Sequence, residues 1–233
     1  MGTVLAMIGI LPRAGHAPGL LTAGLLAALI ALGGCGAQTS AGIGGQLIGA
    51  VLPAFAGPQP QAAQFDFSPQ TIAANTSQYQ IFTINALAVQ APGRLIQDNG
   101  ADQTWASQSG FTASYRDGLL VATRGLGNDL MASDTRQVRS VLAQGGGHAQ
   151  RAVDFLDDFD QIETVRFECE IDAQGREVVD LGLRQPELAK YEETCTSSKL
   201  VFTNIYWLDG AGDILQSRQF VSQTVAYLRS NRL

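Results

Sequence analysis

The sequence predicts an all-β protein: an antiparallel meander forming a barrel-like or sandwich body with one short helix, placed after a signal peptide and a flexible tether. Three observations predict it. From about residue 78 onward, short runs alternate apolar and polar side chains with a period of two, as strands with one buried face do. Asp-Gly and other Gly-bearing turns separate these runs at short spacing, so successive strands should pair antiparallel, about ten to twelve of them. The strand–helix alternation of a doubly wound parallel sheet is missing. Hydrophobic residues make up 45% of the 233 residues and charged residues only 15%. That is enough apolar content for a packed core and too little charge for a chain disordered throughout.

Residues 1–34 read as an export signal. Arg13 is the only Lys or Arg before Arg94, and the apolar run Leu20–Leu32 follows it. This run is shorter than the roughly 20 residues a spanning helix needs, and it fits the apolar region of a secretory leader. Met7 is an alternative start. The order Leu32-Gly33-Gly34-Cys35 resembles the bacterial lipobox. In proteins with that motif the Cys becomes the acylated first residue of the mature chain, so Cys35 is the expected lipidation site and the expected link to a membrane. One acyl chain holds marginally while two or more anchor stably. Gly36 in place of Asp favours the outer membrane, by the same resemblance.

Residues 35–77 read as a tether. No charged side chain occurs from Cys35 to Phe65, and the segment is rich in Gly, Ala, Gln and Pro. Such a composition gives a flexible, partly extended linker. Gln46–Leu52 is the one apolar patch in it, read as a short helix.

Residues 78–233 read as the β domain. Phe111, Ala113 and Tyr115 alternate with Thr112, Ser114 and Arg116; Asp117-Gly118 then turns the chain into Leu119–Arg124. Val165, Phe167, Cys169 and Ile171 alternate with Arg166, Glu168 and Glu170, and Asp172–Gly175 reads as a turn into Glu177–Leu183. Leu200–Leu208 and Asp213–Val221 form a third hairpin around Asp209–Gly212, with Val201, Ile205 and Trp207 on the core face and Tyr206 on the wet face. The helix is expected with Asp134 as its cap, Gln137 three residues on and Val138, Val141 and Leu142 on one face; Gly145–Gly147 ends it.

Two cysteines, Cys169 and Cys195, remain in an exported chain, and one disulfide between them is expected in an oxidising compartment. The alternative is two buried free thiols. Net charge is −6, with 13 Arg, 2 Lys and no basic cluster, which argues against nucleic acid as a partner. His148 lies in a Gly-rich surface segment, and no other His follows the leader, so neither a nucleophile relay nor a zinc site is expected. Asp154, Asp157, Asp158 and Asp160 cluster without calcium-loop spacing and read as a solvated acidic turn. Gly125-Leu126-Gly127 lacks the rest of any phosphate-binding fingerprint. No catalytic residue, cofactor or metal is therefore expected. Trp105 and Tyr206-Trp207 are the aromatic side chains that could stack on sugar rings, with Tyr206 the freer.

Three stretches, Arg116–Met131, Phe202–Leu208 and Ser217–Phe220, resemble the YjbF-type lipoproteins, related to the group 4 capsule lipoprotein GfcB. The resemblance covers about residues 78–229. Phe220 and Ala226 depart from it, where Trp and Gly would be expected, and this leaves aromatic stacking at that end open. The resemblance implies a strand-rich outer-membrane or periplasm-facing protein encoded with exopolysaccharide or capsule export genes. Its expected partners are an outer-membrane β-barrel protein of the same operon and the polysaccharide. It carries over no catalytic residues; Arg124, Asp129, Tyr206 and Arg218 are the candidate binding residues, with a buried ion-pair network as the structural alternative for the two arginines and Asp129. The rival readings are a periplasmic glycan-modifying enzyme and a structural envelope lipoprotein with no role for polysaccharide.

Overall fold

The computed structural model describes residues 65–157 and 159–233. Cys35, the leader, the Gln46–Leu52 patch and most of the tether lie outside the described residues. The segment 65–77 is folded: Ser68 caps a short helix, α1 (Pro69–Ala74), by accepting the Thr71 N–H, and a 3₁₀ turn (Thr76–Gln78) follows. The Tyr79 hydroxyl donates to the Asp66 carbonyl at 2.7 Å, and the Arg94 guanidinium lies over the Phe65 and Tyr79 rings. The stretch expected to end the tether is thus docked on the body by specific contacts.

The strands are β1 (Tyr79–Ile84), β2 (Val89–Asn99), β3 (Asp102–Ser107), β4 (Thr112–Arg116), β5 (Leu119–Arg124), β6 (Ala132–Asp134), β7 (Gly147–Leu156), β8 (Ile162–Val178), β9 (Glu187–Thr196), β10 (Val201–Leu208), β11 (Ile214–Ser222) and β12 (Ala226–Arg232). The helix α2 (Arg136–Ala143) lies between β6 and β7. All twelve strands form one sheet in the order β5-β4-β3-β2-β1-β12-β11-β10-β9-β8-β7-β6. Every pairing is antiparallel, and the first and last strands pair with each other, Phe82 opposite Ser230. The only break in the ring of described strands falls between β5 and β6, making a nearly closed up-and-down barrel, a topology that leaves little unpaired edge. The short link after β5 narrows that gap, with the Thr123 N–H donating to the Leu130 carbonyl.

The expected hairpins at Asp117-Gly118 and Asp209–Gly212 are present. Asp117 and Gly118 both take positive φ (49° and 79°), the conformation a tight two-residue turn demands. The turn expected at Asp172–Gly175 is not: β8 continues to Val178, pairing Glu177 with Leu188 of β9. Gly175 (φ 89°) sits within a register shift between Ala173 and Arg176, so its left-handed backbone makes an irregularity in a continuing strand instead of reversing the chain. The reversal comes later, in the loop 179–186. The helix forms where expected. The N-cap is Thr135 and not Asp134, which acts from one residue before it, accepting the Arg136 N–H and its guanidinium, while Val138 and Leu142 are buried.

The barrel interior has two apolar ends. One gathers Phe82, Phe111, Phe167, Phe202, Val221 and Leu228 with the Cys169–Cys195 pair. The other gathers Leu119, Ile171, Leu208 and Ile214 beneath Val138 and Leu142 of α2. A third apolar cluster is outside the barrel: Val179, Leu181 and Leu188 cover Trp207 and Leu215.

Candidate functional site

Between the two apolar ends the inward-facing positions turn polar on one strand after another. Arg151 follows Ala149 and precedes Val153 on β7; Glu193 lies between Tyr191 and Cys195 on β9; Asn204 lies between Phe202 and Tyr206 on β10; Ser217 and Gln219 face in from β11. Glu193 is fully buried and accepts from Arg151 Nη1 (3.1 Å), Asn204 Nδ2 (2.7 Å) and the Tyr206 hydroxyl (2.5 Å). Asn204 Oδ1 accepts the Phe220 N–H, and Gln219 accepts the Leu120 N–H while donating to the Gly118 carbonyl and Ser217. Ser217 and Ser230 share a further hydrogen bond. These side chains cross-link β7, β9, β10, β11 and β12 and reach β5 through its backbone.

Burial acts on two interior tyrosines. It pushes the phenols of Tyr206 and Tyr115 well above the ordinary tyrosine value, and the Glu193 carboxylate reinforces that at Tyr206. Burial opposes the charge on Arg151, but Glu193 and Tyr206 outweigh it and hold the guanidinium above its usual value. A buried ion pair of this kind is weak evidence of net stabilisation; its loss from one side is costly.

The disulfide is present. Cys169 and Cys195 are directly opposite on β8 and β9 and bonded, with Cα atoms 4.0 Å apart. Glu193 Oε1 lies 3.3 Å from Cys195 Sγ. The three groups are close enough to suit a metal ion, but the sulfurs are already bonded to each other.

The other candidates are distributed differently from the sequence expectation. Tyr206 is fully buried in the barrel, and Trp207 packs on the outside under Val179 and Leu181, with Val201 exposed. The faces of β10 are thus inverted relative to the expectation, because the loop after β8 buries the outer face too and erases the alternation that would reveal it. Trp105 is also buried. Neither tryptophan is free to stack on a sugar. Arg124 and Asp129 organise the β5–β6 link. Arg124 donates to the carbonyls of Thr123, Leu130 and Met131; Asp129 accepts from the Thr123 hydroxyl and from the Gly125 and Leu126 N–H groups. No ion pair joins Arg124, Asp129 and Arg218 among the described residues. Asp157 caps its own turn through the Phe159 and Gln161 N–H groups, and His148 is exposed.

Arg218 is the one candidate that faces outward at a cleft. It donates to the Thr203 carbonyl (3.2 Å), and its guanidinium lies 4.2 Å from the Tyr227 ring centroid. Stacking at this end persists despite the sequence departures. Phe220 stacks on Phe202 (4.8 Å, 9° between planes) and meets Phe155 and Tyr227 edge-on. Ala226 has φ 59°, which explains why Gly would be expected there.

Sequence reasoning missed Arg151 and Glu193, the centre of the polar layer. The available signal was phase, since each falls on the inward beat of its strand.

Fold and interior together define a meander barrel packed by its own side chains. The chain belongs to the family described as "Group 4 capsule polysaccharide lipoprotein gfcB, YjbF", which matches residues 51–233. It is a capsule polysaccharide-related lipoprotein, and membership implies a place in the cell envelope. Its fold is similar to that of the hypothetical lipoprotein YmcC from Escherichia coli (K12), with TM-score 0.59 and 19% identity over 83% of this chain and 96% of that one. A protein from Bacteroides fragilis NCTC 9343 described as having a YmcC-like fold aligns over 66% of this chain and 93% of its own at 14% identity and TM-score 0.24. No curated protein matches the chain.

Proposed function

We propose that the protein is a lipid-anchored accessory factor for exopolysaccharide or capsule secretion or assembly. It is held in the outer membrane by acylated Cys35, faces the periplasm, and acts by binding without catalysis. Residues 1–34 are the leader, 35–77 carry the lipidated Cys and the tether, whose last residues 65–77 dock on the body, and 78–233 form the working domain. What is bound is an outer-membrane β-barrel partner of the same operon, the polymer, or both.

The observation that carries this reading is the use of the buried polar groups. Glu193, the fully buried carboxylate among the described residues, is already engaged by Arg151, Asn204 and Tyr206. A glycan-cleaving site needs two carboxylates facing each other across open space. An interior filled in this way favours recognition at the outer surface. Fractionation with labelled palmitate tests the anchor: wild type should carry label and sediment with outer membranes, and Cys35→Ser should carry none. Wild-type protein recovered without fatty acid would overturn the anchor. Affinity purification of the native protein from membranes should bring down an operon-encoded barrel or polysaccharide; recovery of only peptidoglycan-associated proteins would overturn the secretion role.

A further inference from the structure

The outer face of the β11–β12 pair carries an electrostatic arrangement that the fold does not need. Arg218 and Arg229 are directly opposite each other in register. Like charges at such positions destabilise a sheet. Neither arginine is within salt-bridge distance of a carboxylate among the described residues, although the chain is acidic overall and Arg116, Arg136 and Arg176 are paired; the exposed Arg124, Arg166 and Arg184 share that lack, but none of them faces a second arginine in register. The two line one cleft of 170 Å³ together with Thr83, Asn85, Ala226 and Tyr227.

The cleft is also preorganised. Arg218 is held by the Thr203 carbonyl and stacked on Tyr227, whose hydroxyl accepts the Thr203 N–H. Arg218 Nε is shut off from solvent with no hydrogen-bond partner. A buried unmade donor costs about 1–3 kcal/mol, and a forked guanidinium is the group best matched to a planar or tetrahedral oxyanion. Arg229 is exposed and lies over the Trp207 ring at 5.9 Å. The volume is below the roughly 300–1,000 Å³ of pockets that engulf a whole drug-sized ligand. It suits one charged substituent on a ring that itself remains outside.

We propose that this cleft binds an anionic substituent, carboxylate or phosphate, of an acidic saccharide. Arg218 and Arg229 receive the charge, and Thr83 and Asn85 lie within the same cleft as partners for ring hydroxyls. This rests on the polysaccharide reading above and names the ligand chemistry that reading leaves open.

The test is calorimetric titration of the full mature chain in detergent micelles with three probes: a galacturonate hexasaccharide, the same oligosaccharide after carboxyl reduction, and a hexose phosphate. At least one acidic probe should bind ten-fold or more tightly than the reduced one, and which acidic probe wins identifies the substituent. Arg229→Gln, at an exposed position, should keep the wild-type melting temperature and weaken acidic-probe binding at least ten-fold. Arg176→Gln, at an arginine already paired with Glu187, should leave binding unchanged. Equal affinity for acidic and reduced probes, or equal effects of the two substitutions, would overturn the assignment. If deletion of the gene blocks polymer secretion while the probes show no charge preference, only the cleft assignment fails. If secretion is intact in the deletion strain, the polysaccharide reading itself fails.

Discussion

Replacing Glu193 by alanine should destabilise the barrel more than any surface change, and the structure sets the scale. The carboxylate is fully buried and receives three donors: one from the cationic Arg151, one from Asn204 and one from the Tyr206 phenol. Removing one side of a buried ion pair costs about 3–5 kcal/mol, because the other charge is left without compensation. Arg151 already has Nε and Nη2 buried without partners, so it has no second acceptor nearby to turn to. The two neutral donors add about 1–3 kcal/mol each when stranded, reduced by relaxation and by coupling within the network. The expected loss is about 4–6 kcal/mol. For a body of this size that is a drop of roughly 10–20 °C in Tm. Thermal unfolding followed by circular dichroism, with urea titration for the free energy, measures it directly. The double variant Arg151→Met, Glu193→Leu removes both charges together and should recover most of the loss, to within about 2 kcal/mol of wild type. A Glu193→Ala protein within 1 kcal/mol of wild type, or a double variant as unstable as the sum of the singles, would refute a closed, water-excluded polar layer.

Three further outcomes follow from the same geometry. Reduction of the Cys169–Cys195 bond, separated by 26 residues, should raise the intact mass by two hydrogens and lower stability by about 3.5 kcal/mol on the loop-entropy scale; equal masses with and without reductant would contradict it. In spectrophotometric titration, Tyr206 and Tyr115 should stay protonated well above the ordinary tyrosine value. Their folded values are raised, so their contribution is present below about pH 10 and is lost as the pH rises toward those raised values; ionisation of all five tyrosines of the chain without unfolding would contradict it. Ala226→Gly should stabilise by about 0.5–1 kcal/mol, since relief of a left-handed alanine outweighs the added freedom of the unfolded chain; a lower Tm would contradict it.

The regular part of this fold was legible because its signals are local. Asp117-Gly118 and the alternation of Phe111, Ala113 and Tyr115 specify a hairpin without help from the rest of the chain. The helix at Arg136–Ala143 announces itself by Val138 and Leu142 and the glycines after it. What was not legible depends on what covers what. Gly175 carries the same positive φ in a strand irregularity as it would in a turn, and only the continued pairing with β9 tells the two apart. Tyr206 and Trp207 are both buried, one by the barrel and one by the loop 179–186, so a two-residue period could not say which faced in. Arg151 and Glu193 were hidden by residue type, since a charged side chain is ordinarily on the surface unless a partner from a distant strand meets it. The cleft at Arg218 depends on the β11–β12 register, which puts Arg229 opposite it.

The most direct measurement is the amount and location of acidic polysaccharide made by a strain lacking this gene, complemented with wild type or with Cys35→Ser. Polymer should reach the cell exterior only with wild type, and should accumulate inside the envelope in the deletion strain and with Cys35→Ser. Normal external polymer from the uncomplemented deletion strain would contradict the account.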